Sequence, residues 1–101
     1  MSCLIKNYLL RLRRYRGYSQ KHVALLLGLK SARAVSDFET GRRLPTLKVA
    51  MTLEIVLGTK LSEMYVDLHR ELGLAAVRRE TRLPSRFRRH IRGRVLGKDS
   101  P

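Results

Sequence analysis

The stretch that most constrains this chain runs from Ser19 to Gly41 and reads SQKHVALLLGLKSARAVSDFETG. Ser19 is a good N-cap, because its hydroxyl can accept a bond from an unpaired first-turn amide, and Gly28 can close a helix in the left-handed conformation. The spacing therefore predicts one short helix from Ser19 to Gly28, a turn, and a second short helix from about Ser31 to Gly41. Tyr18 stands where it can staple onto Val23. His22 occupies the position where a capping box expects Glu or Gln, so that box reads as incomplete.

The flanking sequence supplies what these two helices would pack on. Ile5, Leu9 and Leu12 recur at spacings of four and three, marking one face of a first helix over roughly Leu4 to Arg16 that Gly17 ends. Arg13 follows Leu9 by four and lies on the same inward side, where a charge needs a partner. Arg11, Arg14 and Arg16 lie off that stripe, free for phosphates or solvent. Val23, Ala24 and Leu27 form the inner face of the second helix. In the third, Val35 and Phe38 point inward, and Glu39 falls nearly on their side as the partner for Arg13. The opposite face carries Arg33, Ser36, Asp37 and Thr40. Arg42, Arg43 and Pro45 make a rigid basic loop, after which Thr46 caps a fourth helix with apolar positions Leu47, Ala50, Met51, Ile55 and Leu57. A fifth helix starts near Leu61 and shows Leu61, Met64, Tyr65, Leu68 and Leu72, a stripe long enough that its surplus can seat a second copy. Glu63, Asp67 and Glu71 form an acidic strip beside it, read as a solvated face or as a partner for basic residues.

Charge then narrows the partner. Among 101 residues, 22 Lys and Arg stand against 8 Asp and Glu, for a net charge of +14, so a polyanion is the natural ligand. The length fits one domain, over residues 1–76, with a basic, arginine-rich tail over 77–101. In that tail Phe87, Ile91 and Val95 recur every four residues, which permits a basic amphipathic helix. Lys6, Asn7 and Arg11 interrupt any export signal. The longest apolar or glycine run, Val23 to Leu29, is too short to span a bilayer, so a cytoplasmic protein with no membrane partner is expected. His22, His69 and His90 are scattered and Cys3 has no CxxC partner, so no catalytic constellation, metal site or cofactor is expected.

Two short helices joined by a turn of this length make a helix-turn-helix, whose second helix is the right size for a DNA major groove. The ordered set of Arg13, Gly17-Tyr18-Ser19-Gln20, Ala24, Gly28, Val35-Ser36, Glu39, Gly41, Pro45 and Leu57-Gly58 resembles the Cro/repressor-type, XRE-like helix-turn-helix family over roughly Ile5 to Tyr65. The resemblance implies an all-α, compact five-helix, lambda-repressor-like domain, bacterial or phage-encoded, that binds double-stranded DNA as a homodimer. It also implies that Gln20 contacts DNA at the start of the second helix while the third reads sequence. One departure is visible: Gly28 to Glu39 is eleven residues where the family has ten, so the turn holds one extra residue around Lys30 to Ala32.

Chemistry assigns the roles. Arg33 can donate two parallel bonds to a guanine edge, Ser36 can donate or accept, Asp37 can accept from cytosine or orient Arg33, and Thr40 can touch a thymine methyl or a phosphate. Gln20, Lys30, Ser31, Arg42 and Arg43 flank that face as phosphate contacts. The expected function is a sequence-specific transcriptional regulator, by default a repressor. Two alternatives remain: an antitoxin-like adaptor gripping a protein through residues 60–101, and a nonspecific nucleic-acid binder led by the basic tail.

Overall fold

A computed structural model of the protein describes residues 4–87. Six α-helices occupy them: α1 (Leu9–Tyr15), α2 (Gln20–Leu26), α3 (Arg33–Thr40), α4 (Leu47–Leu57), α5 (Leu61–Met64) and α6 (Val66–Glu80), with a 3-10 turn at Ser85–Phe87. No strand occurs among the described residues. The class is therefore all-α, as expected, and five of the six helices, α1 to α5, lie within residues 9–64. The chain divides into two compact units, one ending at Val66 and one beginning at Asp67. Arg78 and Arg79, read from the sequence as the start of the tail, form the last turn of α6, where cations suit the helix dipole. Beyond Phe87, the amphipathic pattern carrying Ile91 and Val95 lies outside the described residues.

The core of the first unit consists of Leu9, Val23, Ala24, Val35, Phe38, Ala50, Leu53, Leu57, Met64 and Tyr65. Full burial of each larger side chain contributes roughly 1.5 to 3 kcal/mol, so this small set dominates folding. Four sequence expectations differ around it.

The first helix begins at Leu9, not near Leu4. Asn7 is the reason: its Oδ1 accepts the Leu9 N–H at 3.0 Å, a local side-chain bond that competes with helix. Ile5 consequently lies outside α1.

In α4, Leu47, Met51 and Ile55 were expected inward but are 74%, 56% and 81% exposed, while Ala50, Leu53 and Leu57 are buried. The sequence LKVAMTLEIVL is apolar nearly all round. Periodicity alone does not choose between two apolar stripes on such a helix.

The single fifth helix is broken in two at Tyr65, whose φ of −118° and ψ of 54° are not helical. Glu54 fixes the start of α5 by accepting the Leu61 N–H at 2.8 Å, which satisfies an orphan amide there. The same break separates Glu63, on α5, from Asp67 and Glu71, on α6. Tyr65 is buried with its hydroxyl unpartnered, and desolvation pushes the phenol up to about 12. Arg16, read as solvated or phosphate-binding, instead donates from Nε to the Leu57 carbonyl at 3.1 Å and so caps α4. Gly58 leaves room for it: a Cβ there would meet Arg16 Nη2 at 2.2 Å.

Candidate nucleic-acid interface

The site is built on α3, and α3 is fixed first from its C-terminal end. Gly41 adopts φ +82°, a left-handed conformation that L side chains disfavour, and its carbonyl accepts the Ile5 N–H at 3.0 Å. The approach is so close that a Cβ at residue 41 would lie 2.3 Å from the Ile5 carbonyl oxygen. Asn7 adds a second tie, donating from Nδ2 to the carbonyls of Ile5 and Phe38, each at 3.0 Å. The segment before α1 thus crosses and closes the end of α3. Sequence reasoning missed Asn7; its one signal was an Asn immediately ahead of a helix.

Arg13 and Glu39 are brought together on the inner side. Arg13 Nε donates to Glu39 Oε2 and Nη2 donates to Oε1 at 3.2 Å, a fork-on-carboxylate geometry. The two side chains are 11% and 6% exposed. A pair this buried requires partners for its other atoms, and each Arg13 nitrogen and each Glu39 oxygen has at least one. Arg13 Nη1 donates to the Tyr18 carbonyl at 3.0 Å, and Gln20 Nε2 donates to Glu39 Oε1 at 2.9 Å. One carboxylate thereby ties α1, the entry to α2, and α3. Gln20, assigned from the sequence to phosphate, spends one of its two amide hydrogens on Glu39.

The capping box on α2 is complete, contrary to the sequence reading. Ser19 Oγ accepts the His22 N–H and His22 Nδ1 accepts the Ser19 N–H, both at 3.0 Å. An imidazole whose Nδ1 is unprotonated replaces the carboxylate or amide that the motif uses, because all it must supply is an acceptor.

The N-terminal end of α3 is held differently. Its N-cap position is Ala32, which makes no side-chain cap, and Ser31 and Lys30 are exposed and precede the helix. The helix starts two residues later than expected, at Arg33.

Along the outward face, Arg33 and Thr40 are exposed and Ser36 and Asp37 are half-buried. Positions 33, 36, 37 and 40 share one side of a helix, so the four candidate base contacts lie on a common face. Thr40 Oγ1 donates to the Asp37 carbonyl at 3.2 Å. Asp37 Oδ2 lies 3.9 Å from Arg43 Nη1, and the Arg43 guanidinium sits 5.5 Å from the centroid of the Phe38 ring. Arg42 and Arg43 are exposed just past the helix end.

A family model described as helix-turn-helix matches residues 9–64, more than half of the chain, from the start of α1 to the end of α5. The chain belongs to that family. As an XRE-like helix-turn-helix protein it is a DNA-binding regulator, built on a regulatory domain that is typically non-enzymatic. In this helix-turn-helix, α2 and α3 are the two motif helices. No curated protein and no solved structure matches the chain significantly. No helix among the described residues is long and apolar enough to cross a membrane.

Proposed function

We propose that the protein is a sequence-specific transcriptional regulator that reads the DNA major groove with the exposed face of α3 and acts by default as a repressor. The observation that carries this reading is the contrast across α3: Val35, Phe38 and Glu39 are held inside, while on the opposite face Arg33 and Thr40 are exposed and Ser36 is half-buried. A helix rigidly held on one side and polar on the other is what base-edge recognition needs, since each bidentate contact discriminates only when its donor is fixed. Arg33 is the principal base contact. Lys30, Ser31, Arg42 and Arg43 contact phosphates, and Gln20 assists with its second amide hydrogen. The protein binds as a homodimer on a two-fold operator, with half-sites roughly 34 Å apart, and excludes polymerase from the site it covers.

Two substitutions measured on a bound duplex test the assignment. Arg33→Ala should lose about 1 to 3 kcal/mol on the preferred sequence and relax preference at one base pair. Arg42→Ala should weaken all sequences alike and lower the salt slope by about one. If Arg33→Ala instead weakens every sequence equally, α3 grips backbone and the reading fails.

A further inference from the structure

Asp37 sits on the outward face of α3, and its carboxylate is the one acidic group among the four candidate base contacts there. We infer that Asp37 is a positioning residue that aims Arg43 at a DNA phosphate and does not read bases; this rests on the DNA-reading function proposed above.

Burial comes first. The Asp37 side chain is 19% exposed against 58% for Arg43. A carboxylate accepting from a cytosine amino group must present its lone pairs outward into the groove. This one has Oδ2 turned to Arg43 Nη1 at 3.9 Å, an ion-pair separation longer than a hydrogen bond. The pairing also answers an electrostatic problem. An unpaired carboxylate at this place would repel phosphate, whereas one facing a guanidinium does not present a bare negative charge.

The backbone makes the same point. The Asp37 carbonyl accepts from Thr40 Oγ1 at 3.2 Å, from the Arg42 amide at 2.9 Å and from the Arg43 amide at 3.3 Å. The residue whose carboxylate faces Arg43 therefore also fixes the main chain from which Arg43 springs. Phe38 completes the support, its ring 5.5 Å from the guanidinium carbon, within the range of cation–π attraction. Arg43 is thus restrained at its backbone, on one Nη and across its planar face. Its Nε and the other Nη remain for a phosphate, and a pre-oriented fork loses less side-chain entropy on binding than a free one. The Asp37 contact is weak on its own, and it orients Arg43 together with the backbone and Phe38 restraints rather than by itself.

The test compares the full chain with Asp37→Asn, Arg43→Ala and the double variant. Affinity is measured against salt on a panel of duplexes, with the thermal midpoint measured alongside. Asp37→Asn should lose about two- to fivefold on every duplex, flatten the salt slope toward that of Arg43→Ala, and leave base preference and thermal midpoint unchanged. Adding Asp37→Asn to Arg43→Ala should produce no further loss. A changed preference at one base pair, an unchanged or tightened affinity, or a full loss persisting in the Arg43→Ala background would overturn the inference. Absence of any sequence preference in the wild-type protein would sink the proposed function instead. The coupling between Asp37 and Arg43 in the salt slope would still decide the positioning role.

Discussion

The two ends of α3 are held in opposite ways. At the C-terminal end, Gly41 is hydrogen-bonded to Ile5, Asn7 reaches the Phe38 carbonyl, and Glu39 is locked between Arg13 and Gln20. At the N-terminal end, Ala32 offers no side-chain cap and Lys30 and Ser31 are exposed. The difference shows that α3 takes its hydrogen-bonded anchorage from its C-terminal end, through Ile5, Asn7, Arg13 and Gln20, while the turn ahead of it carries no side-chain cap.

Four substitutions sharpen or break this contrast. Glu39→Ala should have the largest effect, about 3 to 5 kcal/mol by urea denaturation, because it leaves the Arg13 guanidinium buried without its partner. A loss under about 1 kcal/mol would mean that water reaches Arg13 and that the clamp is weak. Gly41→Ala should follow at about 2 to 4 kcal/mol, since it combines a left-handed residue with a methyl driven into the Ile5 backbone. Asn7→Ala should lose about 1 to 2 kcal/mol by freeing the Leu9 amide and the Phe38 carbonyl. Ser31→Ala should change stability by no more than about 0.5 kcal/mol. If it matches Asn7→Ala, Ser31 is part of a cap and the two ends are not different in kind.

The inward side of α3 was legible because it depends on local rules with few solutions. Val35 and Phe38 are three apart, Glu39 shares their side, and the inward charge at Arg13 has few possible partners on a neighbouring inward face. Gly17 and Gly28, read from the sequence as helix terminators, were legible for the same reason, and both have positive φ. Other features needed tertiary knowledge. The buried arc of α4 could not be chosen from LKVAMTLEIVL, because Leu53 and Met51 are equally apolar and only the neighbouring helices decide between them. Asn7, Arg16 and Glu54 act by reaching backbone groups 31, 41 and 7 residues away, and no periodicity encodes such ties. His22 completes the capping box for a chemical reason: the motif requires an acceptor at the right distance, not a particular residue type, and an imidazole nitrogen supplies one.

Whether the outward face of α3 reads base sequence, as proposed, is decided by selection of the 101-residue chain on a random duplex pool at physiological salt. An enriched inverted repeat is expected, its half-site centres about one helical turn apart. Tight, salt-sensitive binding with no enriched sequence would contradict it, and would mean that the net charge of +14 binds nucleic acid without α3 reading it.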